Sequence, residues 1–87
     1  MDKYADTLEV INKMAMVKMA MNNHKGKIED LKSEMIISMM TSEIDELKEA
    51  VSNENILEII EEAADIMNFL VGLIYKQIKL YRIRKDD

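Results

Sequence analysis

Apolar residues recur along this chain at the three-to-four-residue spacing of helices. Tyr4, Leu8, Ile11, Ala15 and Met19 make one stripe, and Val10, Met14, Val17 and Met21 fall on the opposite side. This predicts a first helix from about Tyr4 to Met21 that is apolar on more than one face. Such a helix is normally covered on more than one face. A second helix is expected from Leu31 or Ser33 to Val51. Its core stripe is Ile36, Met40, Leu47 and Val51, flanked by Ile37 and Ile44. A third runs from Ile56 to about Arg82, with Ile59, Ala63, Ile66, Leu70, Leu73 and Ile74 inward and Gly72 as the place where it can bend.

Two polar breaks separate these elements. In Asn22-Asn23-His24-Lys25-Gly26-Lys27 the Asn and Gly residues end a helix readily, Gly by accepting positive φ. Ser52-Asn53-Glu54-Asn55 is short enough to make its flanking helices antiparallel neighbours. Asn55 with Glu58 three residues on resembles a capping box that opens the third helix. The expected fold is all-α: an antiparallel bundle of three main helices in one domain over residues 1–87.

Composition supports this and adds a demand. The chain has 87 residues, no Pro, two Gly and 48% hydrophobic residues. With one Phe, three Tyr and no Trp, the core must come from Ile, Leu, Val and nine Met. A chain this short can hardly cover a two-faced first helix alone, so the bundle is expected to be completed as a homodimer or homotetramer. The absence of Cys excludes a disulfide framework and thiolate metal sites. A net charge of −5 argues against a nucleic-acid-binding module. The start lacks the pattern of a signal peptide. The apolar run from Ile66 to Tyr75, interrupted by Asn68, is too short to span a bilayer. The expectation is a soluble cytoplasmic protein with no membrane partner.

The chemistry lies in acids. Glu43 and Glu46, then Glu62 and Asp65, are two carboxylate pairs spaced i,i+3, so each pair can face one way from its helix. At about 100° per residue, Glu43 falls inside the apolar stripe near Ile36 and Leu47, and Glu46 on its edge. Glu62 lies nearest the third helix's stripe. A carboxylate in an apolar stripe costs free energy unless it is paired or metal-bound. Antiparallel packing would converge all four, and like charges that close repel unless a cation sits among them. A hard divalent ion such as Mg²⁺ prefers oxygen ligands, which makes Glu43, Glu46, Glu62 and Asp65 candidate metal ligands. Asp45 and Glu49 point away and are read as solvated. Glu58 and Glu61 are read the same way, with Glu58 as an alternative ligand directly or through water. No Gly-rich phosphate loop, nucleophile elbow or H-E-x-x-H motif occurs. The E-x-x-H pairs of di-iron bundles are also missing.

The E-x-x-E, spacer, E-x-x-D arrangement, with its EIDELKEA and EEAAD contexts, resembles the MazG-like all-α nucleoside triphosphate pyrophosphohydrolases. That superfamily includes dimeric dUTPases. Some compact, phage-type members carry an Asn-Arg-His-Lys-Gly stretch, matched here by Asn22, His24, Lys25 and Gly26. Asn23 replaces the Arg, and Lys27-Ile28 stands where Gly-Trp is usual. The resemblance covers roughly Asn22 to Tyr75. It implies hydrolysis of a nucleoside triphosphate, a deoxynucleotide in preference, to the monophosphate and pyrophosphate. It also implies Mg²⁺ as cofactor, with Mn²⁺ as a substitute. Glu43 or Glu46 would take the attacking water's proton, and Glu62 and Asp65 would ligate metal. Lys25 or Lys27 would reach a phosphate, with His24 a further candidate contact.

Farther along, Asn68 could orient a ligand or a water, or be plain surface polarity. Lys76 or Lys79, or Arg82 across a dimer, would neutralise the triphosphate; alternatively the basic helix end complements the macrodipole. Two other functions compete with hydrolysis. One is a nucleotide-binding protein of the same fold with little or no turnover. The other is an interaction module whose Met-rich first helix docks a partner.

Overall fold

The computed structural model describes residues 2–22 and 26–86. The elements run α1 (Lys3–Met21), a 3-10 turn (Ile28–Asp30), α2 (Ser33–Ser52) and α3 (Ile56–Asp86). The architecture is all-α, with three main helices and no strand among the described residues. Helix α3 is the axis, and α1, α2 and the 3-10 turn all pack against it.

Local chemistry accounts for the ends. Asp2 caps α1, its carboxylate accepting from the Tyr4 amide at 2.9 Å. Helix α2 closes with two backbone bonds, Glu54 N to Val51 O at 3.0 Å and Asn55 N to Ala50 O at 3.1 Å. These are the paired bonds of a Schellman ending. The left-handed position is Glu54, at φ 53°, where Gly is the usual residue. Asn55 then accepts from the Glu58 amide at 3.2 Å, which is one half of the expected capping box.

Packing departs from the expected stripes. The fully buried apolar residues are small apart from one: Ala15, Ile36, Ala50 and Ala64. On α3 the innermost line is Ala64, Asn68 and Gly72, at i, i+4 and i+8. Small residues let neighbouring backbones come close, and that line rotates Leu70 and Ile74 outward to 43% and 56% exposure. Val51, expected in the α2 core, is also exposed, and Ala50 takes its place. On α1 the inner line runs Ile11, Ala15, Lys18 and Asn22, while Met19 lies exposed.

Gly72 does not end α3, which continues as one helix to Asp86. Its role is contact. A Cβ there would lie 2.5 Å from Ile28 Cγ2 and 2.7 Å from Ile28 Cβ, so only Gly admits the 3-10 turn this close. The same segment is held by Lys76 Nζ donating to the Leu31 carbonyl, and by Gln77 Nε2 donating to Ser33 Oγ at 3.1 Å.

The radius of gyration is 14.8 Å, against about 12 Å for a compact chain of this length. Large apolar side chains such as Leu8, Val17, Leu57 and Tyr81 stand more than half exposed. Among the described residues, no helix is long and apolar enough to cross a membrane.

Candidate metal centre

The short turn between α2 and α3 folds the two acidic pairs onto facing surfaces. Glu43 comes from the middle of α2, Glu62 and Asp65 from the second and third turns of α3. One carboxylate oxygen from each of Glu43, Glu62 and Asp65 lies within 4.8 Å of the others. Glu46 stands exposed at the rim, close enough that its charge acts on the other three.

The electrostatics are those of a crowded acidic site. Burial pushes Glu43 up from 4.5 to about 8, helped by hydrogen bonding with Glu62 and Glu46 and by repulsion from Glu46 and Asp65. Burial also raises Glu62, with the hydrogen bond from Glu43 working the other way. Without a cation, then, burial and crowding favour the protonated form of Glu43. Asp65 is raised by burial as well, opposed by Lys18. Among the described residues, no donor meets the innermost oxygens: Glu43 Oε2 and Glu62 Oε2 are buried with no hydrogen-bond partner there. Orphaned buried acceptors are costly. Oxygen atoms from three converging carboxylates, with neither thiolate nor imidazole beside them among the described residues, fit a hard divalent cation.

Lys18 is the residue that sequence reasoning missed. Its Nζ sits 3.5 Å from Asp65 Oδ2, with the two side chains only 21% and 19% exposed. A signal was present, because Lys18 follows Ala15 by three residues and precedes Asn22 by four, continuing the buried line of α1. Placing Met19 in that line hides it.

The remaining candidates are distributed as follows. Asn68 is buried, and its Nδ2 donates to the Ala15 carbonyl at 2.9 Å, joining α3 to α1. Lys76 is engaged with the Leu31 carbonyl, away from the acids. Lys27 is exposed and lines a cavity of about 760 Å³ that opens beside the carboxylates. Lys18, Glu43 and Asp65 form the charged wall of that cavity, and Met19, Ile28, Met39 and Phe69 contribute to its apolar wall. His24 and Lys25 lie outside the described residues. Glu58 serves the start of α3 through its backbone amide, and Glu61 adds repulsion on Asp65.

The sequence profile of phosphoribosyl-ATP pyrophosphohydrolases matches residues 15–86, from the middle of α1 to the end of α3. The chain belongs to the phosphoribosyl-ATP pyrophosphohydrolase family. That family is related to the MazG-like all-α nucleotide pyrophosphohydrolases, in agreement with the resemblance carried by the two acidic pairs. The family match is wider than the motif region, since it takes in Lys18 and the whole of α3. No curated protein and no solved structure matches the chain at a significant level. Membership identifies a pyrophosphohydrolase of the MazG-like fold.

Proposed function

We propose that this family member is a Mg²⁺-dependent enzyme that cleaves the α–β phosphoanhydride of a nucleoside triphosphate, a deoxynucleotide in preference. The observation that carries the reading is the pair of buried oxygens, Glu43 Oε2 and Glu62 Oε2, unpartnered among the described residues, in a cluster whose Glu43 and Asp65 line a 760 Å³ cavity. Glu43, Glu62 and Asp65 would hold the ion, with Glu46 completing the set from the rim. When bound, Mg²⁺ supplies Lewis-acid polarisation of the phosphoryl group and neutralises its charge.

The rest falls to the chain's own side chains. Glu46, at the solvent edge of the cluster, would accept a proton from a water that attacks the α-phosphorus. One P–O bond forms there, the bond from the α-phosphorus to the α–β bridging oxygen breaks, and pyrophosphate leaves with that oxygen and the electron pair. Lys27, with Lys25 as a further candidate, offsets charge on the departing phosphates. The apolar wall around Phe69 and Met39 suits the flat face of a base.

A second copy of the chain would cover the outer faces of α1 and α3, so the working form is a homodimer or homotetramer acting in the cytoplasm. Light scattering at micromolar concentration should return at least twice the monomer mass of 10.1 kDa.

The deciding measurement is a turnover screen with Mg²⁺ across common ribo- and deoxynucleoside triphosphates, with phosphoribosyl-ATP included because the family carries its name. Pyrophosphate release supports the reading, and the best substrate names the base and sugar. Release confined to phosphoribosyl-ATP would replace the substrate and keep the bond. Orthophosphate alone would mean that a different bond breaks. Tight nucleotide binding with no product would favour a binding protein of this fold.

A further inference from the structure

The metal and nucleotide reading above leaves one charged group without a task, and the inference here rests on that reading. Lys18 projects from the buried line of α1, one turn after Ala15, whose carbonyl is held by Asn68. The ammonium therefore reaches the acids from a fixed base. Among the described residues, Lys18 with Asp65 is the one ion pair that joins two helices. Glu43, Glu46 and Glu62 crowd the same site as its partner Asp65, and the charge of Glu46 raises all three of the half-buried acids.

We propose that Lys18 is an internal counter-ion, which neutralises Asp65 in the metal-free protein, yields that carboxylate to the cation, and then turns to the phosphate chain of the nucleotide. Three features support this exchange. The 3.5 Å separation is longer than a charge-assisted hydrogen bond, so the pair is held by charge more than by a fixed contact. Lysine is a point charge on a flexible four-carbon stem, able to swing where a guanidinium fork would be tied to one geometry. Lys18 also lines the cavity together with Glu43 and Asp65, so the same ammonium faces both the acids and the space where phosphates would lie.

The consequence is a split that a purely structural lysine would not produce. While Lys18 is charged and paired, a divalent cation must compete with it for Asp65. Lys18→Met should therefore bind Mn²⁺ more tightly than wild type in the absence of nucleotide, by roughly fivefold, as expected for one partly exposed ion pair. The same variant should bind inorganic tripolyphosphate in the presence of Mn²⁺ more weakly, by roughly fivefold or more. Lys18→Arg, which keeps the charge, should leave Mn²⁺ affinity near wild type.

Calorimetric titration with Mn²⁺ alone, then with tripolyphosphate at saturating Mn²⁺, reads both halves, and circular dichroism checks folding. Should Lys18→Met fail to fold, Lys18→Gln carries the same expectations. Tighter Mn²⁺ with weaker tripolyphosphate supports the exchange. Unchanged or weaker Mn²⁺ in a folded neutral variant overturns it, as does unchanged tripolyphosphate affinity. Wild type that binds no Mn²⁺ sinks the metal reading itself, and this inference with it.

Discussion

Asn68 and Ala15 are 53 positions apart, yet the Asn68 amide donates to the Ala15 carbonyl at 2.9 Å and both residues are buried. This bond sets the rotation of α1 on α3, and with it the approach of Lys18 to Asp65, one turn onward on α1 and one turn back on α3. Asn68→Ala should cost about 1–2 kcal/mol, the scale of a lost buried hydrogen bond plus an unfilled site. Urea unfolding gives the number. Unchanged stability together with a raised KM would assign Asn68 to substrate instead.

The metal-free protein should lose stability as pH rises. Glu43 has its carboxyl raised from 4.5 to about 8 in the folded chain, so between those values the folded state binds more protons than the unfolded state. Stability then falls with pH across that window, and the loss is complete above the folded value. Glu62 and Asp65 are raised as well and act with the same sign. Thermal melts in a chelator should give a higher Tm near pH 5.5 than near pH 8.5, with a shallower slope for Glu43→Gln. Mn²⁺ should restore more stability at the alkaline end, where the ligands are deprotonated. A Tm independent of pH in wild type would count against the crowded-carboxylate description.

Single carboxylate changes should separate binding from turnover. Glu43→Gln and Asp65→Asn should weaken Mg²⁺ or Mn²⁺ affinity while helical content stays intact, because each replaces a metal-binding carboxylate by an amide of the same size. Glu46→Gln should lower kcat by roughly 10² or more, the scale of a lost general base. A Glu46→Gln enzyme with wild-type kcat would move the base elsewhere.

Gly72→Ala should be destabilising despite alanine's better helix propensity. The new methyl would meet the branched stem of Ile28, which cannot swing away without moving the 3-10 turn. Overpacking of this kind costs about 1–3 kcal/mol. Ile28→Ala in the same chain should recover part of the loss, which a double-mutant cycle measures. Additive effects would mean that the contact is not the cause.

Glu54→Gly should stabilise the protein. Glu54 occupies the left-handed region at φ 53°, where a side chain costs roughly 1–2 kcal/mol. Glycine removes that strain and adds back roughly 0.5–1 kcal/mol of chain entropy. The net gain should be about half to one kcal/mol, read as a shift in the urea midpoint at constant slope. A loss of stability would show that the turn carries no strain.

What the sequence determined by itself is local, or tied to local signals. Helical periodicity, the Asn55 cap and the polar breaks act over a few residues, so the three helices were legible within a few positions of their ends. The i,i+3 spacing and the short connecting turn also constrain where the acids go, and Glu43, Glu62 and Asp65 converge while Glu46 stays at the rim. Only the tertiary structure decided the rotation of each helix about its own axis. That rotation put Ala64, Asn68 and Gly72 inward in place of Leu70 and Ile74, and Lys18 inward in place of Met19. A helix with apolar residues on several faces has several nearly equivalent ways to pack. The choice among them came from contacts between distant residues, Asn68 with Ala15 and Gly72 with Ile28, which no local spacing encodes.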